Sequence, residues 1–224
     1  MTNLVIGQAA PPTRERILDA AERLLGRYGY RKMTVDDLAS EAGIGKGTVY
    51  LSFPSKEEVV LATVDRIVDA VCDEMERIRS SGRPAAECLA GMLAARVLVR
   101  FDRVSGYRER LDDLLGAIRR SLLERRRLHF ERETAVLAAA VRDGQRTGAL
   151  VPGDARRTAR ALLLATNAFL PYSLSPAELG DRRRLQADTQ DVVRLLVRAL
   201  LVVHATPGQD TPRITTTTRR RGAL

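Results

Sequence analysis

The segment Lys46-Gly47-Thr48-Val49-Tyr50-Leu51 gathers a cation, a bare stretch of backbone and two hydroxyls within six residues. Placed at the start of a helix, such groups can meet phosphates and base edges. The positive helix N-terminus favours nearby anions, and the missing side chain of Gly47 lets backbone approach closely. The segment is not a phosphate loop of the nucleotide-hydrolysing kind. That motif needs Gly, four residues, then Gly-Lys-Ser/Thr; position 40 is Ser, position 47 is Gly, and no strand precedes it. Cys72, Cys88, His129 and His204 are spaced too widely for a zinc site. The carboxylates are scattered along helical surfaces. The expectation is therefore no metal, no cofactor and no enzyme.

The elements around this segment predict a helix-turn-helix over residues 34–53. Ile17, Leu18, Ala21, Leu24, Leu25 and Tyr28 form one stripe of an amphipathic first helix, broken at Gly29. Thr34 reads as an N-cap, with Asp37 three residues on in the manner of a capping box. Val35, Leu38 and Ala39 form the inner face of that helix. Gly43 can take the left-handed conformation of a tight turn, and Ile44 anchors it. A third helix over 45–52 is short enough for its N-terminal end to enter a DNA major groove about 12 Å wide. Ser55 and Glu58 read as a second capping box, opening a long helix with the stripe Val60, Val64, Ile67, Val71, Met75, Ile78. Further helices are expected at about 84–104, 107–116, 118–147, 154–171 and 185–204. No period-two alternation argues for a sheet, so the fold class is all-α.

Residues 13–72 closely resemble the DNA-binding domain of the TetR family of bacterial transcriptional regulators. The resemblance is carried by Thr13 to Ala21, Gly29-Tyr30, Thr34 to Ala39, Ala42-Gly43-Ile44, Lys46 to Tyr50 and Phe53 to Glu57. Gly45 departs from the family, which often has a capping hydroxyl there, and Leu51-Ser52 is not the commonest pair. The resemblance implies that Thr34, Tyr50 and Lys56 touch phosphate or backbone. It implies that Lys46, Thr48 and Leu51 face base edges, with Gly47 between them. It also implies a palindromic double-stranded operator, a homodimer and a repressor released by a small molecule. The alternatives are an activator, a ligand-independent regulator or a generic basic DNA-binding protein.

The resulting layout is 13–72 for DNA, 73–204 for regulation and dimerisation, and 205–224 as a disordered basic tail. Dimerising faces are expected on the last two long helices (Ala161, Leu162, Ala165, Phe169; Val192, Leu196, Ala199, Val203). A cavity for a small lipophilic ligand is expected around Phe101, Tyr107, His129, Phe130, Asn167 and Tyr172, which set aromatic bulk and polar handles among aliphatic residues.

The chain has 224 residues and a formal charge of +9, ample for a large core without disulfides. Residues 1–60 hold eight basic and eight acidic residues, so charge placement, not net charge, marks the DNA face. Arg125-Arg126-Arg127 and Arg182-Arg183-Arg184 read as solvated faces. The two cysteines read as unpaired thiols in a reducing cytosol. Neither 161–172 nor 192–203 is long and apolar enough to span a bilayer. The expected location is cytoplasmic, with no membrane contact.

Overall fold

The computed structural model describes residues 11–173 and 180–202, excluding the side chain of Tyr172. Among the described residues the chain is helical, and its one pairing of extended backbone is an isolated antiparallel bridge between Leu150 and Leu201. The helices are α1 (Thr13–Arg27), α2 (Val35–Ala42), α3 (Lys46–Ser52), α4 (Lys56–Arg79), α5 (Ala85–Val104), α6 (Leu111–Arg146), α7 (Ala155–Ala165) and α8 (Arg182–Arg198). A 3-10 segment, Ser105–Arg110, joins α5 to α6. Helix α4 packs on both α5 and α6, α7 on α6, and α8 on α5.

The buried apolar residues form two clusters. The first joins α1, α2, α3 and the start of α4 to Val97, Phe101 and Val104 of α5, Tyr107, and Leu111, Leu114 and Ile118 of α6. The second holds the end of α4 (Val71, Met75, Ile78) with α5, the C-terminal part of α6, α7 and α8. The N-terminal three-helix unit thus shares its core with the helices behind it, and α4 belongs to both clusters.

Several element boundaries differ from the sequence expectation. α6 runs unbroken through Gly116, whose missing side chain would meet nothing within 4 Å. An exposed glycine costs a helix only about 1 kcal/mol, and packing against α4 and α7 outweighs it. α7 ends at Ala165, not near 171, because the chain turns through two 3-10 segments, Asn167–Phe169 and Pro171–Ser173; proline disfavours helix in the residue before it. α8 begins at Arg182 rather than 185, because Asp181 caps it by accepting from Arg184 N. Tyr28 caps the end of α1 and stands exposed rather than joining the stripe. Ser55 caps α4 by accepting from Glu58 N at 3.1 Å, but the Glu58 carboxylate turns to Arg125 instead of closing a box. Val203, His204 and residues 205–224 lie outside the described residues.

Candidate nucleic-acid interface and ligand cavity

Thr34 closes a full capping box: its Oγ1 accepts from Asp37 N at 3.1 Å, and Asp37 Oδ2 accepts from Thr34 N at 2.9 Å. The hydroxyl proton also goes to Asp37 Oδ2, at 2.7 Å. These bonds from the Thr34 hydroxyl and backbone hold the Asp37 carboxyl below its usual range. Gly43 then turns the chain with φ 64 and ψ 42, and its N–H bonds back to Ser40 O. From α1, Arg16 Nη2 reaches the carbonyls of Ala42 and Gly43 at 2.7 and 3.1 Å and fastens the turn. Val49 alone on α3 is buried. The opposite face presents Lys46, Gly47, Tyr50 and Leu51 to solvent, with Leu51 89% exposed and Tyr50 50%. Thr48 is half-buried. An apolar side chain held almost wholly in water on a seven-residue helix buys no packing within this chain.

Lys46 Nζ lies 2.9 Å from Asp36 Oδ2, in a pair open to water on both sides and so easily exchanged for another anion. Lys56, expected to meet a phosphate, also has partners within the chain. Its Nζ donates to Tyr30 O at 3.0 Å and Met33 O at 2.8 Å, and stands 4.4 Å from the centre of the Tyr30 ring. It pins α4 to the loop before α2, and burial lowers its pKa. An ammonium has three N–H groups, so one remains beyond the two carbonyls. Arg14, over the Phe53 ring at 4.3 Å, braces α3 from below.

A cavity of about 200 Å³ lies between α4, α5 and α6. Val64, Ile67 and Val68 of α4 form one wall, and Leu111, Leu114 and Ile118 of α6 another. Of the sequence-expected lining residues, Tyr107, His129 and Phe130 reach it. Phe101 does not; it is packed in the first core cluster. Asn167 is also absent from the wall. It borders a separate depression with Phe130 and Arg160, and its Oδ1 accepts from Arg96 Nη2 at 2.7 Å. The Tyr172 side chain lies outside the described residues, while its neighbours Pro171 and Ser173 border the cavity. His129 Nε2 lies 2.7 Å from Asp65 Oδ1.

Sequence reasoning missed the charged end of this cavity. Arg96 and Glu133 are each 1% exposed and Arg100 is nearly as deep. Arg96 Nε donates to Glu133 Oε2 at 2.7 Å, and Arg100 Nη2 donates to Glu133 Oε1. Burial pushes the Glu133 carboxyl up, but Arg100 and Arg96 outweigh it and hold it below its ordinary value. In a chain with 34 arginines no spacing signal distinguishes these two.

α4 connects cavity and helix-turn-helix. Its Arg66 Nη1 reaches Glu15 Oε2 at 3.1 Å and Asp19 Oδ1 at 2.6 Å, and Nη2 stands 2.7 Å from Glu22 Oε1, all on α1. A second junction lies at the end of α1. Gly26 packs on the backbone of Gly106, where an added Cβ would stand 3.1 Å from the Gly106 carbonyl oxygen, and Arg110 Nη1 donates to Gly26 O.

The outer faces of α7 and α8 carry Ala161, Leu164, Ala165, Leu195 and Ala199 in solvent, with Leu164 53% and Leu195 69% exposed. Of the expected seam, Leu162 instead faces inward into the core, Phe169 and Leu196 are half-buried against it, and Val192 is half-buried.

Among the described residues no helix is long and apolar enough to cross a membrane, and no group of three or more His, Cys, Asp or Glu is placed to hold a metal. Residues 17–63 match the family described as bacterial regulatory proteins, tetR family. The HTH-type transcriptional regulator Mb2274c of Mycobacterium bovis is 30% identical over 164 residues, covering 70% of this chain and 80% of that protein. Other relatives match over shorter stretches, where this chain spans 24–29% of their length. A solved structure described as the molecular basis for control of antibiotic production by bacterial hormones is 30% identical, with a TM-score of 0.66, over 87% of this chain and all of that one. The SmeT–triclosan complex is 25% identical, with a TM-score of 0.63, over 90% and 99%. With a capped helix-turn-helix, an all-α frame behind it and a relative matched over most of its length, the chain belongs to the TetR family and is a DNA-binding transcriptional regulator.

Proposed function

We propose that this regulator is a cytoplasmic homodimeric repressor, released from a palindromic operator when a small molecule fills the cavity. Two α3 helices would enter successive major grooves about 34–36 Å apart. Lys46 and Thr48 would address base edges and Leu51 a thymine methyl. Gly47 would allow the backbone close to the duplex, and Tyr50 and the third N–H of Lys56 would bind phosphate. Thr34 would join them by turning its hydroxyl from Asp37. The outward apolar faces of α7 and α8 would bury each other across the two-fold axis.

The observation that carries ligand control is the sharing of α4. The helix that forms a cavity wall through Val64, Ile67 and Val68 also holds α1 through Arg66. A ligand that favours one placement of α4 changes the spacing of the two α3 helices, and that differential binding is the coupling. That SmeT, a neighbour in fold, has been solved in complex with triclosan supports a small-molecule ligand for this chain. The test is a footprint on DNA upstream of the protein's own gene, combined with sedimentation of the free protein. A protected palindrome and a dimer are expected. Uniform affinity for unrelated DNA would leave a generic basic DNA-binding protein, and a protected site whose occupancy raises transcription would make the protein an activator.

A further inference from the structure

We infer that the cavity takes an amphipathic organic anion, a short-to-medium apolar chain ending in a carboxylate that seats on Arg100. The inference rests on the ligand-controlled reading above and deepens it by naming the ligand's chemistry.

Charge balance carries the argument. Glu133 is the one carboxylate on the cavity wall among the described residues, and it faces two guanidinium groups, Arg96 and Arg100. Arg96 is the more heavily engaged of the two: beyond Glu133 it donates to Leu163 O at 3.1 Å, Thr166 Oγ1 at 2.9 Å and Asn167 Oδ1 at 2.7 Å, which uses four of its five N–H groups. Arg100 donates through Nη1 to Arg96 O at 2.9 Å and through Nη2 to Glu133. A guanidinium carries five N–H groups; the rest of those on Arg100 have no protein partner among the described residues, and Arg100 borders the cavity. The other titratable groups on the wall do not cancel the excess. His129 faces Asp65, which Arg125 also pairs, while Arg119 adds further positive charge to the lining.

The remaining wall is chiefly aliphatic, from Val64, Ile67, Val68, Leu111, Leu114 and Ile118, with the rings of Tyr107 and Phe130 beside them. A neutral lipophile would satisfy that wall and leave the buried positive charge unanswered. An inorganic anion would answer the charge and leave the aliphatic wall in water. An alkyl carboxylate answers both, and its planar head matches the guanidinium fork. A single negative charge suffices, because the buried triad carries an excess of one. The volume, about 200 Å³, equals roughly seven waters at about 30 Å³ each, which suits a short alkanoate better than a long lipid.

The experiment is calorimetric titration of the full-length protein with octanoate, 1-octanol and octylammonium, which share a chain and differ in head charge. Octanoate should bind at least about tenfold tighter than octanol, the effect of one charge-assisted hydrogen-bonded seat, and octylammonium weakest. Equal binding of octanoate and octanol, preference for octylammonium, or no binding by any of the three overturns the inference without needing a variant. Arg100→Met leaves the Arg96–Glu133 pair matched one to one; it should reduce the octanoate-to-octanol preference to within about twofold, and Arg100→Lys should restore most of it. A preference that survives Arg100→Met overturns the seat. Operator binding measured in parallel separates this inference from the reading beneath it. Octanoate that binds without weakening the operator complex upholds the ligand class and removes ligand control by that class. Octanol that releases DNA where octanoate does not upholds ligand control and overturns the anion.

Discussion

Arg66 and Ile67 are consecutive residues of α4 with separate obligations. Arg66 gathers Glu15, Asp19 and Glu22 of α1, and Ile67 lines the cavity. Burial disfavours the Arg66 charge, but the three acids outweigh it and raise its pKa. The anchor of α1 and the cavity wall are thus adjacent residues of one helix.

Lys56 should serve two roles at once. Lys56→Met is expected to lower stability in urea by about 1–2 kcal/mol, through loss of charge-assisted bonds to Tyr30 O and Met33 O. It should also reduce the salt slope of DNA binding by about 1. A lowered urea midpoint with an unchanged salt slope would assign Lys56 to the loop alone.

Gly47→Ala separates folding from recognition. A Cβ there meets nothing within 4 Å, so the helix should gain up to about 1 kcal/mol from propensity. Operator affinity should nevertheless fall, by about tenfold or more, because the new methyl would enter the space the duplex takes in the proposed complex. Melting temperature and fluorescence anisotropy read the two effects; a more stable protein with undiminished affinity would refute close approach at this position.

Leu195→Arg should convert the proposed dimer to a monomer, since it would set a charge in the proposed apolar seam, where an unpaired buried charge costs several kcal/mol. The fold of the single chain should survive, because Leu195 is 69% exposed within it. Leu196 is a poorer probe, being half-buried against its own core. Sedimentation of an intact mutant dimer would move the interface elsewhere.

Glu133→Gln should destabilise the protein by about 3–5 kcal/mol at neutral pH, because it strands two buried guanidinium groups. The pH dependence has a definite sign. The folded Glu133 pKa lies below the ordinary value of about 4.3, so its contribution is present above that value and is lost as pH falls through the folded one. The gap in urea midpoint between wild type and variant should narrow from pH 7 toward pH 3; a constant gap would mean that charge is not the cause.

Gly144→Ala tests the C-terminal packing. The added methyl would stand 2.4 Å from Leu150 Cδ1 and 3.1 Å from Ala85 Cβ, an overpacking that should cost about 1–3 kcal/mol. Operator affinity of the folded fraction should not change. A variant as stable as wild type would show that Leu150 can move aside.

The sequence made the helix-turn-helix legible because its determinants are local. Thr34 and Asp37 are three residues apart, and Gly43 needs only its own φ. What it concealed is long-range. Lys56 finds its carbonyls 23 and 26 residues back, and Arg66 finds its acids up to 51 residues back. Arg96 and Arg100 look like two of many surface arginines until α6 brings Glu133 beside them. Tyr107, His129 and Phe130 border the cavity while Phe101 and Asn167 lie off it, since aromatic or polar character alone does not say which side of a helix meets a void.

The first core cluster has a thermodynamic corollary. Because Ile17, Leu38 and Val49 share one uninterrupted apolar interior with Phe101, Tyr107 and Ile118, the operator-reading unit has no private melting transition. Heat should unfold it together with the cavity walls, in one cooperative endotherm rather than a shoulder and a main peak. A ligand of the proposed kind should then raise the melting temperature of residues that never touch it, and should slow amide exchange in α1 and α3 even where no DNA is present.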